Sequence, residues 1–153
     1  MINISHRGNI NGRNPEKENT KKYIEKALKY GFDCEIDLWL INNNFFLGHD
    51  EPKEKCKFEW LYKHRKKLWI HCKNISCLEI LNKEEFNCFF HNTDDVVLTS
   101  KNYLWTYPGK QLTYNSIGLF FDKKPENFNY PCAGICSDYI ESYYIKPYYY
   151  LEV

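Results

Sequence analysis

His6, Glu35, Asp37 and His49 fall within the first fifty residues, each in or at the end of an apolar run. Glu35 and Asp37 stand two apart in "CEIDL". In a strand, side chains two apart share a face, so both carboxylates project the same way. Adjacent carboxylates repel and raise one another's pKa unless a cation lies between them. A hard divalent ion would resolve that repulsion through oxygen ligands. Two imidazoles on either side suit proton transfer near neutral pH. Each feature also has an ordinary reading: a Glu-x-Asp pair can lie on a solvated sheet edge, and a histidine at a strand end can be a structural hydrogen-bonder. Co-occurrence favours chemistry. Four of the five histidines (6, 49, 71 and 91) fall at or near strand ends, whereas His64 sits in a basic helical stretch and reads as surface.

The elements that must position these residues are legible in part. "INIS" (2–5) reads as a strand that stops at a polar, Gly- and Asn-rich loop. "ENTKKYIEKALKYG" (18–31) reads as a helix capped by Asn19 or Thr20, with Tyr23, Ile24, Ala27 and Leu28 as its apolar stripe and Gly31 as its stop. "FDCEIDLWLI" (32–41) is a strand, which "NNN" turns into the hairpin arm "FFLGHD". A helix over 57–67 carries Phe58, Leu61 and Tyr62 at helical spacing. Then come a strand "LWIHCK" (68–73), a helix "SCLEILNKE" and a strand "NCFFHN". This alternation predicts parallel strands with right-handed crossovers, whose C-terminal ends open onto one face. After residue 95 the strand-like runs "VVLTS", "YLWTY", "IGLFF" and "AGICS" are joined by short or Pro- and Asn-rich segments, with a final helix at "DYIESYYI". The tail "YIKPYYYLEV" is apolar enough to dock on the body.

At 153 residues the chain reads as one domain, 1–153. With 21 basic and 20 acidic residues its net charge is +1, so no global field marks it for nucleic acid or a membrane surface. Seven cysteines without tandem C-x-x-C spacing, and no secretory apolar segment at the start, predict free thiols in the cytoplasm. No apolar stretch is long enough for a membrane span.

"HRG" after the first strand, "ENT" opening the first helix, "CEIDL" as the second strand and "GHD" after a hairpin resemble, in order and spacing, the glycerophosphodiester phosphodiesterase family. That family belongs to the phospholipase-C-like phosphodiesterase superfamily. "GICSDYIE" (134–141) is similar to the family's closing strand, and "LWTYPGK" (104–110) more loosely to a late strand with a Trp-Thr pair. The resemblance implies an α/β fold of (β/α)-barrel type and metal-dependent hydrolysis of a small-molecule phosphodiester, a glycerophosphodiester or similar compound.

By motif, His6 and His49 become the general acid–base pair, with His6 as base and His49 as acid in either order, and Arg7 binds phosphate. Glu35 and Asp37 become metal ligands, and Glu18 a partner that holds Arg7 or the first loop. In the family, attack by a substrate hydroxyl gives a cyclic phosphate that is then opened. Asp50, His91, Trp105 and Asp138 are further contributors to the site. Trp39, Trp105 and Tyr107 are candidates to line its mouth, though core packing suits Trp39 better. "WTYPGK" is either a substrate loop, with Thr106, Gly109 and Lys110, or a plain turn.

Two departures matter. The strand that carries Glu-x-Lys in the family reads "IHCK" here, so His71 takes the ligand position and Lys73 is kept. Imidazole adds no negative charge and is softer than carboxylate. The single divalent ion is therefore Mg²⁺ or Ca²⁺ by resemblance, with Mn²⁺ or Zn²⁺ favoured relatively. A full eight-fold barrel takes about 250 residues. This chain predicts a reduced TIM-like barrel, with several second-half helices shortened or missing. A second reading is a catalytically inactive domain that binds a phosphorylated ligand.

Overall fold

The computed structural model describes residues 1–144. The tail from 145 onward lies outside the described residues, and so does the docking expected of it. β1 (Ile2–His6), α1 (Lys21–Lys29), β2 (Asp33–Ile41), β3 (Asn44–Leu47), β4 (Glu54–Cys56), α2 (Phe58–His64), β5 (Leu68–Cys72), α3 (Ile75–Lys83) and β6 (Cys88–Phe89) make up the first part. β7 (Val96–Leu98), β8 (Leu104–Thr106), β9 (Ser116–Phe120), β10 (Gly134–Ser137) and α4 (Ile140–Tyr143) follow.

Local chemistry explains most of these boundaries. α1 buries Ile24 and Ala27, packs Leu28 on the core, and ends at Gly31, whose φ of +100° suits glycine. Thr20 occupies the N-cap position but makes no side-chain cap bond; its hydroxyl donates back to the Lys17 carbonyl. The β2–β3 hairpin turns on Asn42 and Asn43, at φ +48° and +60°. Asparagine tolerates that region, and two such residues match the twist of the flanking strands. The helix expected over 57–67 is shorter, and Tyr62 leaves the apolar stripe to lie under Arg65, 3.8 Å from its ring. β4, which the sequence did not announce, pairs antiparallel with β3.

Among the described residues, seven strands run parallel. β1 pairs β2, β2 pairs β5 and β5 pairs β6; β8 pairs β9, β9 pairs β10, and β10 returns to β1. These strands therefore follow one another in chain order, with a single break between β6 and the β7–β8 hairpin. No ladder crosses that break among the described residues. It is bridged by Ser100, whose N–H donates to the Cys88 carbonyl at 2.9 Å and whose hydroxyl accepts from the Cys88 N–H at 2.9 Å. The result is a mixed α/β fold in which a curled sheet forms a partial barrel.

Alternation along the strands sorts the side chains. Ile4, Trp69, Phe89, Trp105, Ile117, Leu119 and Cys136, from six strands, meet in one buried cluster on the concave face. Cys34, Ile36, Leu38, Leu68, Ile70 and Cys72 face the other way, into a core shared with α1, α2 and α3. Trp105 is thus 3% exposed and packed on Phe89 at 4.6 Å, part of the inner core and not of the mouth. The second half carries only α4 among the described residues. Loops take the place of crossover helices outside β8 and β9, leaving a cavity of about 400 Å³ lined by Tyr107, Leu112, Gly118, Phe120 and Tyr130. No helix among the described residues is long and apolar enough to cross a membrane. The cysteines are free thiols, all buried except the half-buried Cys132.

Candidate active site

The concave face changes character at the C-terminal ends of its strands. One step beyond the apolar layer, β1 supplies His6, β2 supplies Glu35 and Asp37, and β5 supplies His71, all buried. The ladders set them side by side: His6 is in register with Glu35, and Asp37 with His71. Lys73 follows β5, and Asp138 follows β10. Parallel pairing thus gathers residues from positions 6 to 138 at one rim.

The turn after β1 is tight. Arg7 adopts φ +55°, a conformation that is uncommon and costly for a non-glycine residue, and Gly8 follows at +90°, where a Cβ would strike Tyr23. Asn9 N–H closes the turn on the His6 carbonyl at 2.9 Å. This conformation carries Arg7 Nε to 3.0 Å from Asp37 Oδ2, while Nη1 donates to Glu18 Oε1 at 3.4 Å. Glu18 also accepts from the buried Asn9 amide at 3.1 Å, so it braces the loop as well as the arginine.

Each imidazole has its own setting. His6 Nδ1 meets Asp138 Oδ1 at 2.8 Å, which leaves Nε2 facing Glu35 Oε2 at 3.8 Å. Burial pulls the His6 pKa down, but the Asp138 hydrogen bond and the Glu35 charge outweigh it and hold it above the ordinary value. Asp138 is set in turn by Asn9, whose amide donates to the same oxygen at 2.8 Å. It does not cap α4. His49 is half-exposed at the end of the hairpin arm, with Nδ1 2.7 Å from the exposed Asp50. Burial, with Arg7 and Lys73, lowers its pKa against the pull of Asp37 and Asp50. The hairpin is fastened beneath it: Gly48 N–H donates to the Asp37 carbonyl at 3.1 Å, and the Trp39 indole donates to the Gly48 carbonyl at 2.6 Å. Gly48 lies at φ +147°, and a Cβ there would run into the Glu51 carbonyl.

The carboxylates divide their roles. Burial and then the Asp37 charge push the Glu35 pKa up. For Asp37 burial acts in the same sense, but His71 in its protonated, metal-free form and Arg7 overcome it and hold the acid well below the usual carboxylate range. Asn19, considered as a helix cap, has another task. Its amide donates to Asp37 Oδ2 at 2.8 Å and accepts from the Asp37 N–H at 3.0 Å, from a backbone at φ +57°. His71 Nε2 lies 3.4 Å from the His91 carbonyl, an acceptor; in the neutral tautomer that donates there, Nδ1 presents a lone pair. That Nδ1 sits 3.0 Å from Asp37 Oδ1 without the alignment of a hydrogen bond.

Those details bear on whether a cation fits. Glu35 Oε2 and Asp37 Oδ1 are buried and have no hydrogen-bond partner. Glu35, Asp37 and His71 each offer a ligand atom within 4.8 Å of the others. Two orphaned carboxylate oxygens and an imidazole nitrogen in one such cluster are a donor set for a divalent ion. The outer contacts match: metal-binding imidazoles characteristically donate their second N–H to a carbonyl or carboxylate.

Of the other expected residues, Lys73 Nζ lies 3.6 Å from Asp37 Oδ1. His91 stacks on His71 at 4.4 Å, and burial, with His71 and Lys73, lowers its pKa to about 4. Lys110 pairs with Asp95 at 3.0 Å, and Thr106 is buried with its hydroxyl on the Leu104 carbonyl. Neither reaches the carboxylates. His64 is not plainly surface, since its ring packs on Trp60 at 5.2 Å. Asn9 and Asn19 were missed as site residues because an asparagine in a polar loop looks like any other turn residue. Comparison with protein-family models, with curated proteins and with solved structures finds no match to this chain.

Proposed function

We propose that the protein is a metal-dependent phosphodiesterase built on a reduced TIM-like barrel, related to the glycerophosphodiester phosphodiesterases its motifs resemble. The observation that carries the reading is the set of orphaned donors on Glu35 and Asp37 beside the His71 imidazole, flanked by His6 and His49. Glu35, Asp37 and His71 would hold one divalent ion, which supplies Lewis-acid polarisation of a phosphoryl oxygen. Arg7 and Lys73 add positive charge where non-bridging oxygens would sit, opposing the charge that grows in the transition state.

The two imidazoles differ in the direction their surroundings push them, and that difference assigns their work. His6, whose pKa Asp138 raises, suits the general acid that protonates the leaving alkoxide. His49, with its pKa lowered, suits the base that takes a proton from water or a substrate hydroxyl. Of the two orders that the motifs allow, this is the one with His6 as acid and His49 as base. Separated pKa values in one site are a common basis for such a division.

A second reading draws on Arg7 and Lys73, which both approach Asp37, at 3.0 and 3.6 Å. Two cations could neutralise that carboxylate without a metal and leave a domain that binds a phosphorylated ligand without turnover. Hydrolysis of bis-p-nitrophenyl phosphate with Mn²⁺, Zn²⁺, Mg²⁺ and Ca²⁺ in turn separates the two. The phosphodiesterase reading expects metal-dependent release of p-nitrophenol that falls at least about a hundredfold in His6→Ala and in His49→Ala. Release that is indifferent to metal, or unchanged in both variants, would sink it.

A further inference from the structure

Two asparagines in the loop between β1 and α1 are buried, Asn9 fully and Asn19 to 4% exposure. A buried amide is costly unless its donor and its acceptor are both engaged. Asn9 divides its bonds among Glu18, Asp138 and the Asn14 N–H. Asn19 sets both ends on one residue, Asp37. Its Oδ1 accepts from the Asp37 N–H at 3.0 Å, and its Nδ2 donates to Asp37 Oδ2 at 2.8 Å.

The first of these bonds answers a need of the sheet. β1 accompanies β2 as far as Glu35, and β3 takes over from Leu38. The Asp37 N–H falls in the interval that neither strand covers, and Asn19 Oδ1 stands in for a strand carbonyl. The second bond answers no need of the sheet. It fixes a side-chain oxygen, and Arg7 Nε lies 3.0 Å from that same atom. Oδ2 is thus held from two sides. Oδ1 is left buried and without a hydrogen bond, 3.0 Å from His71 Nδ1 and 3.6 Å from Lys73 Nζ. A planar amide that grips both the backbone and the carboxylate of one residue keeps the two oxygens from exchanging places.

Resting on the metal centre of the phosphodiesterase reading, we infer that Asn19 is a positioning residue for the ion: it fixes Asp37 so that Oδ1 alone is presented to the metal. Asn19 itself touches only Asp37. Hydrogen-bond partners of metal ligands typically account for about 10- to 100-fold in metal affinity.

The backbone makes a clean test available. Asn19 stands at φ +57°, with its N–H on the Arg7 carbonyl at 3.0 Å. Glycine and aspartate both tolerate that conformation, so Asn19→Gly removes the whole amide and Asn19→Asp only its donor, without straining the loop. Mn²⁺ dissociation constants are measured by calorimetry on the full chain, below the melting point of every variant, alongside wild-type turnover of bis-p-nitrophenyl phosphate. Both variants are expected to bind Mn²⁺ about 10- to 100-fold more weakly than wild type. Thr20→Ala changes the same turn at a hydroxyl that donates to the Lys17 carbonyl and not to a carboxylate, and should leave the constant unchanged. A measurement on the wild type needs no variant: the Asn19 side-chain amide protons should exchange slowly and shift when Zn²⁺ is added. Wild-type affinity in Asn19→Gly, or an equal loss in Thr20→Ala, overturns the inference and, with turnover intact, leaves the phosphodiesterase reading standing. Amide protons that do not respond to bound Zn²⁺ overturn it in the same way. Absence of both Mn²⁺ binding and turnover in the wild type removes the phosphodiesterase reading, and this inference with it.

Discussion

At the scale of single residues, most of the site is made by side chains that hold other side chains. Asp138 is the clearest instance: it fixes which nitrogen of His6 faces the carboxylates and raises that imidazole's pKa. Asp138→Asn keeps the shape and removes the charge. The His6 pKa must then fall; on the proposed phosphodiesterase reading, the limb of the pH–rate profile that reports it moves to lower pH, and kcat drops by about 10²- to 10⁴-fold. Stability follows the same pair. The raised His6 value contributes stability below its ordinary value of 6.5 that is lost as pH rises through the folded value. The lowered Asp138 value contributes above 3.8 and is lost as pH falls. The difference in urea midpoint between wild type and Asp138→Asn should therefore be greatest between those two values. A difference independent of pH would dissociate Asp138 from His6. His6, Glu35, Asp37, His49 and His71 could be singled out from type and spacing, because a strand's two-residue period sets where a side chain points. Asn19 could not, because its bonds to Asp37 arise from a left-handed backbone and a contact eighteen residues away.

At the scale of elements, the first half was legible, β4 apart, because its longer strands and its helices carry their own period, and the second half was legible mainly as strands. β6 and β8 have only two and three residues, shorter than the runs that announce them, and their partners are set by curvature that no local pattern encodes. The break between them is where the partial barrel depends on individual groups. Ser100 accepts from the Cys88 N–H and donates to the Phe86 carbonyl at 2.7 Å, while its own N–H holds the Cys88 carbonyl. Ser100→Ala leaves the Cys88 N–H and the Phe86 carbonyl without this partner, at a cost of about 1–3 kcal/mol. Its effect should be local first. Amide exchange is expected to quicken in 86–89 and 103–106 more than in β1, β2 and β10, which are paired on both sides. Uniform acceleration across the sheet would mean that the break is no weaker than the ladders.

For the whole molecule, the curled sheet folds around a charge problem that protein groups solve only in part. Asp37 has Arg7, Lys73, His71 and Asn19 around it, yet one of its oxygens and one of Glu35's remain buried without a hydrogen bond. Such groups are costly in a low-dielectric interior, so a cation that satisfies both should stabilise the fold as well as supply reactivity. A ligand at a hundred times its dissociation constant adds about 2.7 kcal/mol. For a chain of this length that corresponds to a rise in Tm of roughly 5–10 °C. The order among ions follows from His71: an imidazole in place of a carboxylate lowers the charge of the donor set and softens it. Mn²⁺ and Zn²⁺ should therefore raise Tm at lower concentration than Mg²⁺ or Ca²⁺. Glu35→Ala and Asp37→Ala should abolish the rise, and His71→Glu should shift the preference back toward Mg²⁺. The last variant is the decisive one. Loss of stabilisation alone would follow from any damage to the site, whereas an exchanged metal preference requires that residue 71 itself touch the ion.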